Sequence, residues 1–334
     1  NLPEERIAKF PPKERGTTQL LVLDREEGSI KHRRYSDCVE YMREGDVIVL
    51  NETKVEKRRT YFLDNKERTH EVLFLNQQQD GNWFCLIKKS KQLNEKDILI
   101  NLVCKEIQLQ IVKKSEKGVI VKLLSDLNPK EVFEKAGHTP IPPYMKRDDT
   151  EEDFERYNTV FGKYFGSVAS PTASLNLTED LLEKIKKKGI KIAKVELKVG
   201  WGTFAPVREE NIEDHEIHEE EISLSLTSAD IINETIKNGG DVWVFGTTVA
   251  RLLESCATKD GFVEAYEGST NLYIYPGYEW KIVNHLITNF HMPDSSLILL
   301  VSSFAGKELI KKAYDEALEN EYMLLSYGDS MLII

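Results

Sequence analysis

The chain has 334 residues, of which 40% are hydrophobic and 30% are charged, enough to bury the core of one large domain or of two smaller ones. Its formal net charge of −11 argues against a protein that coats nucleic acid, because such proteins are basic. No run approaches the roughly 20 apolar residues that cross a bilayer, and no signal-peptide core stands near the start, so we expect no membrane partner and a cytoplasmic location.

Four cysteines are scattered along the chain without CxxC spacing: Cys38, Cys85, Cys104 and Cys256. Their spacing argues against a zinc ribbon and against a disulfide scaffold. We therefore interpret them as ordinary buried thiols in a reducing compartment.

The N-terminal third begins with two short apolar segments, QLLVLD at 19–24 and VIVLN at 47–51, which predict strands. The first segment is followed by REEGS, a hairpin-type turn into a second strand. From about 61 to 136 the segments become short and β-rich, for example EVLFL, WFCLI and EIQLQIV, with polar turns between them. This spacing predicts a small antiparallel barrel or sandwich.

From residue 137 onwards, predicted strands alternate with predicted helices, which is the pattern of an α/β fold. The sequence therefore predicts an α/β main domain of residues 1–60 and 137–334, with a barrel-like mixed sheet and helices. An antiparallel β-barrel of residues 61–136 is inserted near its N-terminal third.

One run within the α/β part, GSVASPTASLNLT at 166–178, carries no charged side chain. The segment after it predicts a helix, because Leu181, Leu182 and Ile185 recur at helical spacing and Thr178 is a suitable N-cap. Small residues ahead of a helix allow a ligand to approach the backbone closely, and the helix start favours an anion. A well-capped loop without a ligand is the alternative reading.

Two further strand-to-helix junctions consist of small residues: Gly246-Thr247-Thr248 after VWVF, and residues 302–306 after LILLV. Ligands in α/β folds bind where the carboxyl ends of strands meet helix starts. The junctions together predict one small-molecule pocket.

Other stretches contain residues suited to chemistry. His215 and His218 are spaced three apart in DHEIH, and a metal is possible there, although no third ligand is obvious, so we favour proton transfer or substrate contact. His291 lies in TNFHMP. It is either a residue of the site or a polar residue whose hydrogen bonds serve only the fold. The segment IPPYMKR at 141–147 is rigid and extended because it contains two prolines.

These segments together resemble the S-adenosylmethionine:tRNA ribosyltransferase-isomerase family of the queuosine pathway. The matching stretches are LLVLDREEGSIKHRRYSD, GDVIVLNETKV, PIPPYMKR, ERYNTVF, GSVASPTASLNLTEDLL, VGWGTFAPV, DHEIH, FGTTVARLLES, YIYPGYEWK, LITNFHMPDSSLILLVSSFAG and YGDSML. They cover both ends of the chain and the α/β part, whereas the β-rich block matches in outline.

The resemblance implies a reaction. The ribosyl group of S-adenosylmethionine is transferred to 7-aminomethyl-7-deazaguanine at the wobble position of tRNA and isomerised, which gives epoxyqueuosine-tRNA and releases adenine and methionine. The implied partners are tRNA and S-adenosylmethionine, the latter as a substrate, and no metal is implied.

The resemblance also implies which residues form the site. Catalytic roles are implied for His215, His218, His291, Arg251 and Asp329. Substrate binding is predicted for Ser170, Pro171, Thr172, Asn176, Lys198, Gly202, Thr203, Phe204, Glu220, Thr247, Thr248, Asn289 and Phe290. The basic cluster KVEKRR at 54–59 is either a solvated face or a surface that contacts tRNA, and for the second reading we name Lys54, Arg58 and Arg59.

The chain departs from the family pattern at several positions. Asn176 and Lys198 stand where the family has histidines, and Lys198 can take over proton transfer if burial lowers its pKa. Three hypotheses follow from this: an active ribosyltransferase-isomerase, a paralogue that uses S-adenosylmethionine on another acceptor, and a non-catalytic relative that binds tRNA or a nucleoside. The retained histidines favour an enzyme.

Overall fold

The computed structural model describes residues 2–199 and 219–334 of the chain. The strands in this part are β1 (Gln19–Leu23), β2 (Ile30–Arg34), β3 (Val47–Asn51), β4 (Thr53–Val55), β5 (Arg59–Leu63), β6 (Thr69–Gln77), β7 (Trp83–Ile87), β8 (Ile98–Asn101), β9 (Gln108–Lys114), β10 (Val119–Leu124), β11 (Tyr164–Ser167), β12 (Lys191–Leu197), β13 (Glu220–Leu224), β14 (Val242–Phe245), β15 (Tyr266–Thr270), β16 (His285–Asn289) and β17 (Ser330–Ile333). The α-helices are α1 (Cys38–Tyr41), α2 (Pro129–Ala136), α3 (Glu151–Arg156), α4 (Glu179–Lys187), α5 (Leu226–Lys237), α6 (Thr247–Ser255), α7 (Ser296–Ala305) and α8 (Lys307–Glu319). Single 3-10 turns occur at Glu4–Arg6, Tyr35–Asp37, Ser90–Gln92, Pro143–Met145 and Thr172–Ser174.

The chain forms two compact units. The first comprises Asn1–Lys54, Pro142–Arg147 and Glu155–Ile334, and the second comprises Val55–Ile141 and Asp148–Phe154. The predicted insert of residues 61–136 lies within the second unit, and its boundaries stay a prediction.

A mixed sheet of nine strands forms the centre of the first unit, in the order β15-β13-β12-β3-β14-β16-β17-β1-β2. Strands β12, β3, β14 and β16 are parallel to one another, whereas β17 runs antiparallel to β16. The carboxyl ends of the four parallel strands therefore lie along one edge of the sheet, together with the starts of β17 and β1.

Both faces of the central parallel strands β3 and β14 are buried, as expected for parallel strands. Alternate residues of one strand enter different clusters: Val47 and Val49 pack in the cluster that contains residues of α5, α6, α7 and α8, while Ile48 and Leu50 pack in the cluster that contains residues of α4. The period-2 alternation of a strand produces this division.

The helix predicted after the uncharged run is confirmed as α4. The Thr178 hydroxyl accepts a hydrogen bond from the backbone N–H of Leu181 at 3.1 Å, and Leu181 and Ile185 are buried. The predicted hairpin is confirmed too, because β1 and β2 pair antiparallel.

One predicted strand is wrong. The apolar run LILLV at 297–301 lies inside helix α7, so residues 302–306 end a helix instead of joining a strand to one. A short apolar run bounded by small residues does not distinguish a buried strand from a buried helix. Here Leu297, Leu300, Val301 and Phe304 are buried at helical spacing.

The second unit contains a closed barrel in which the order of strands is β10-β7-β6-β5-β8-β9, and every neighbouring pair is antiparallel. This confirms the predicted α/β part with a small antiparallel barrel. Helix α2 contributes Val132 and Phe133 to the barrel core, where Phe74, Trp83 and Phe133 make edge-on ring contacts. Among the described helices, none is both long and apolar enough to cross a membrane.

Candidate functional site

A cavity of about 310 Å³ opens in the first unit beside the carboxyl ends of the parallel strands. The residues that line it are Pro143, Tyr144, Ser170, Pro171, Thr172, Ala173, Val199, Gly246, Thr247, Thr248, Thr288, Asn289, Phe290, His291, Met292, Asp294, Ser295, Leu297, Leu325 and Ser326. Its size is within the range of small-molecule sites, and its place follows the rule for ligands in α/β sheets.

The first wall comes from the uncharged run. Ser170, Pro171, Thr172 and Ala173 line the cavity. The rest of the run serves the fold, because Leu177 is buried in the core and Thr178 caps α4. The start of α4 does not belong to the cavity lining, contrary to the idea that this helix faces the ligand's anionic end.

The second wall is the junction between β14 and α6. Gly246 has a φ of +105°, a backbone conformation that side-chain-bearing residues rarely adopt, and it turns the chain directly into the helix. Thr247 and Thr248 then lie in the first helical turn and line the cavity. This turn has free backbone N–H groups and the positive end of the helix dipole, and α7 likewise begins at the cavity with Ser295 and Leu297.

The third wall follows β16. The Nε2 atom of His291 lies 2.7 Å from the Thr288 hydroxyl, and its backbone N–H donates to the Tyr314 hydroxyl at 2.7 Å. Burial lowers the pKa of His291 to about 4, so the ring is neutral near pH 7. The Thr288 hydroxyl also lies 3.2 Å from the carbonyl oxygen of Asn289. If it donates there, Nε2 carries the ring proton and Nδ1 is a hydrogen-bond acceptor.

Two further contributors were missed as site residues by the sequence reasoning. The Tyr144 hydroxyl hydrogen-bonds the Ser326 hydroxyl, and burial raises the pKa of Tyr144 to about 12. Both residues line the cavity. The only signal for Tyr144 was its place in the rigid segment IPPYMKR, and Ser326 stands just before the YGDSML stretch.

Several polar atoms beside the cavity have no hydrogen-bond partner among the described residues. They are the Ser170 hydroxyl and both amide atoms of Asn289, and these two residues are 4% and 2% exposed. Leaving a buried donor or acceptor unsatisfied costs about 1–3 kcal/mol. Unsatisfied groups that cluster at a cavity are typical of a site completed by a ligand or by water.

Arg251 and Glu220 lie together, but apart from the cavity lining. Arg251 Nη2 donates to Glu220 Oε2 at 2.6 Å, with the side chains 4% and 3% exposed. The sequence placed Arg251 among the catalytic residues and Glu220 among the substrate contacts. Both assignments stay predictions, and in the structure Arg251 on α6 forms an ion pair with the first residue of β13.

The two residues that replace family histidines are also outside the cavity lining. The Asn176 amide donates to the Gly328 carbonyl oxygen at 3.5 Å. The Lys198 ammonium group pairs with Glu221 at 2.5 Å, and its side chain is 42% exposed. The burial that would fit Lys198 for proton transfer is therefore not found.

Asp329, predicted as catalytic, binds the backbone. One carboxylate oxygen accepts from the N–H of Gln19 at 2.6 Å and the other from the N–H of Met323 at 2.7 Å, while burial raises the pKa of the carboxyl group. The residue before it, Gly328, has no room for a side chain, because a Cβ atom would lie 2.4 Å from the Met323 carbonyl oxygen. Asp329 therefore shapes the turn ahead of β17.

Of the three predicted tRNA contacts, two are engaged inside the second unit. Arg58 donates to Glu56 and to the Leu75 carbonyl oxygen, and Arg59 donates to the Ile141 carbonyl oxygen at 2.8 Å. Both are less than 10% exposed, so neither offers its charge freely to a phosphate. Lys54 belongs to the first unit and lies beside an aromatic ring at the surface.

Five predicted site residues lie outside the described residues: Gly202, Thr203, Phe204, His215 and His218. Within residues 2–199 and 219–334, no group of three or more His, Cys, Asp or Glu side chains is arranged to hold a metal ion. All four cysteines are free thiols, and Cys38, Cys85 and Cys256 are buried.

The comparisons with known proteins agree on one family. A family model described as queuosine biosynthesis protein matches residues 1–333 of this chain. A curated relative from Chlorobaculum parvum, named S-adenosylmethionine:tRNA ribosyltransferase-isomerase, is 44% identical over 335 residues, which are 99% of this chain and 97% of the relative. A relative of the same name from a Sulfurihydrogenibium species is 42% identical over 337 residues, 100% of this chain and 98% of the relative.

A solved structure is similar over the same length. The crystal structure of S-adenosylmethionine tRNA ribosyltransferase from Thermotoga maritima has a TM-score of 0.56 with this chain and is 31% identical to it. The alignment covers 100% of this chain and 98% of that protein.

Proposed function

Because this chain belongs to the queuosine biosynthesis protein family, we propose that it is an S-adenosylmethionine-dependent tRNA ribosyltransferase-isomerase whose reaction takes place in the cavity of the first unit. It transfers the ribosyl group of S-adenosylmethionine to 7-aminomethyl-7-deazaguanine at the wobble position of tRNA, and isomerises that group to the epoxide of epoxyqueuosine. Adenine and methionine are released. A cytoplasmic location fits this substrate and stays a prediction.

The observation that carries the proposal is the set of unsatisfied polar atoms at the cavity. Both amide atoms of Asn289 and the hydroxyl of Ser170 lack hydrogen-bond partners in residues 2–199 and 219–334. A purine presents a hydrogen-bond donor and an acceptor side by side, which is the pattern that a carboxamide such as Asn289 complements with two bonds. We therefore assign Asn289 to a purine of the substrates and Ser170 to a neighbouring polar group.

The charge of the cavity suits the rest of S-adenosylmethionine. Asp294 is the one carboxylate among the described residues that line it, and the pKa of His291 leaves that ring neutral at pH 7. A single negative charge among neutral groups favours a sulfonium cation. The N-terminal turn of α6, at Thr247 and Thr248, is suited to the methionine carboxylate, because its free N–H groups and dipole attract an anion.

The reaction needs a base for the acidic proton beside the sulfonium and an acid that helps adenine to leave. His291 can accept a hydrogen bond from the substrate through Nδ1, the nitrogen that does not face Thr288. Its low pKa makes it a weak base, so we assign it to hydrogen bonding of the leaving purine. His215 and His218 remain our candidates for the stronger base.

Adenine release tests the proposed function. Purified protein is mixed with S-adenosylmethionine and tRNA bearing the aminomethyl-deazaguanine, adenine is measured by chromatography, and the wobble nucleoside is measured by mass spectrometry. We expect adenine only when the modified tRNA is present, together with the mass of epoxyqueuosine. Adenine formed equally well with a free small acceptor would favour a different acceptor, and RNA binding without adenine would contradict an enzyme.

A further inference from the structure

Two large aromatic side chains are exposed on consecutive residues of the short strand β11. Tyr164 is 41% exposed and Phe165 is 46% exposed. Successive side chains of a strand point to opposite faces, so the two rings lie on opposite faces of the two-stranded ribbon that β11 forms with β4. Neither ring contributes to a hydrophobic core cluster of the first unit.

Each of these rings has a lysine beside it. The ammonium nitrogen of Lys163 lies 4.9 Å from the centre of the Tyr164 ring, and that of Lys54 lies 5.2 Å from the centre of the Phe165 ring. Both distances are within the range of a cation–π contact. We call Lys54, Lys163, Tyr164 and Phe165 the ribbon patch. It offers a flat ring and a positive charge on each face, in a chain whose net charge is −11.

The ribbon patch leads directly into the cavity wall. Strand β11 ends at Ser167, and Ser170 already lines the cavity. Five residues of extended chain span at most about 18 Å, so the backbone of Phe165 lies within that distance of Ser170. A few nucleotides of single-stranded RNA bridge such a distance.

We infer that the ribbon patch stacks unpaired bases of the tRNA anticodon loop that neighbour the base entering the cavity, while its lysines contact adjoining phosphates. The inference rests on the proposed function, because it takes tRNA as the substrate. Proteins recognise single-stranded RNA mainly by stacking bases on aromatic rings next to basic side chains. A base that reacts must also leave its stack, and a nearby aromatic ring holds its neighbours while it does so.

A third exposed aromatic ring, that of Phe10, serves as a comparison for the two rings of the ribbon patch. Phe10 is 60% exposed, and the guanidinium carbon of Arg147 lies 4.2 Å from its ring centre. This ring lines a separate depression that shares no lining residue with the cavity. Phe10 is therefore a matched control: an exposed phenylalanine with a cation over its ring that belongs neither to the ribbon patch nor to the cavity.

The test measures RNA affinity and S-adenosylmethionine affinity separately on the full-length protein. A fluorescent anticodon stem-loop RNA with the aminomethyl-deazaguanine is titrated with wild type, Phe165→Leu, Tyr164→Leu and Phe10→Leu. Leucine keeps an apolar side chain and removes the ring. We expect Phe165→Leu and Tyr164→Leu each to weaken RNA binding about 5-fold or more, since stacking of one base contributes about 5- to 150-fold in affinity. Phe10→Leu should change it by less than about 2-fold.

Two further readouts separate RNA stacking from a merely structural effect. S-adenosylmethionine affinity, measured by calorimetry, should be the same in all variants. Lys54→Met and Lys163→Met should each reduce the salt dependence of RNA binding by about 0.7 in the slope of log K against log salt concentration. The ring variants should leave that slope nearly unchanged.

Wild-type RNA affinity in Phe165→Leu and Tyr164→Leu would overturn the inference, and a ribbon patch that binds a protein instead of RNA would give this result. Equal losses for the loop RNA and for a duplex without the loop would also contradict stacking of unpaired bases. In either case, adenine release by wild type with modified tRNA would leave the proposed function standing. Absence of adenine release would instead remove the proposed function.

Discussion

Arg251 and Glu220 form an ion pair inside the first unit, with Nη2 and Oε2 2.6 Å apart and both side chains almost fully buried. The pair joins helix α6 to the start of strand β13. Breaking a buried ion pair costs stability, because the attraction between its charges offsets their loss of hydration. The Arg251–Glu220 pair therefore helps to hold helix α6, whose first turn lines the cavity.

The first prediction concerns this pair. We expect Arg251→Ala to lower the free energy of unfolding by about 3–5 kcal/mol, because Glu220 stays buried and loses this ion pair. The double variant Arg251→Met with Glu220→Leu should recover much of that loss, since it removes both charges. Urea unfolding of the two variants beside wild type measures the difference.

A matched control is the surface pair between Arg43 and Asp241, which are 2.7 Å apart with Arg43 69% exposed. Arg43→Met should cost less than about 1 kcal/mol. If the double variant at 251 and 220 is as stable as wild type but releases no adenine, Arg251 has a direct role in the reaction, and the structural interpretation is wrong.

The second prediction concerns Asn289. We expect Asn289→Leu to weaken S-adenosylmethionine binding about 10-fold or more, because a bidentate contact with a purine contributes about 1–3 kcal/mol. Stability should be unchanged or higher, since neither amide atom has a hydrogen-bond partner to lose in the part of the chain that the structure describes. Calorimetric titration and thermal unfolding report the two quantities. Lower stability with unchanged affinity would mean that Asn289 serves the fold.

The sequence predicted the walls of the cavity better than the roles of single residues. Segments around Ser170, Thr247 and Asn289 are far apart in the chain, and the structure brings them together at one cavity. This convergence was predictable because the carboxyl ends of parallel strands meet at one edge. The abrupt turn from β14 into α6 also has a cause in the sequence, since Gly246 adopts a φ of +105°.

The direction of a side chain was not predictable in the same way. Arg251 lies one turn after the cavity-lining threonines but faces Glu220, and Asn176 lies in the uncharged run but donates to Gly328. Motif spacing gives the order of such residues and not the face on which each one lies. Likewise, the run at 297–301 is apolar in either secondary structure, and only its packing identifies a helix.

The third prediction is a pH dependence that comes from His291. Its pKa in the folded protein is about 4, below the ordinary value of about 6.5, so the unfolded state binds the proton more readily between these values. The corresponding stability is fully present above pH 6.5 and is lost as the pH falls towards 4. Between pH 7 and pH 4.5 we expect wild type to lose about 2–3 kcal/mol more than His291→Asn, as measured by urea unfolding. Parallel pH profiles of the two proteins would contradict burial of a neutral ring.

The last prediction separates structure from catalysis at Asp329. Asp329→Asn replaces one carboxylate oxygen by an amino group, which then faces the backbone N–H of Gln19 or of Met323. Losing one buried acceptor costs about 1–3 kcal/mol, so we expect a lower midpoint of thermal unfolding. Adenine release per folded molecule at low temperature should stay within a few-fold of wild type. A loss of 100-fold or more in fully folded Asp329→Asn would show instead that the carboxylate takes part in the reaction.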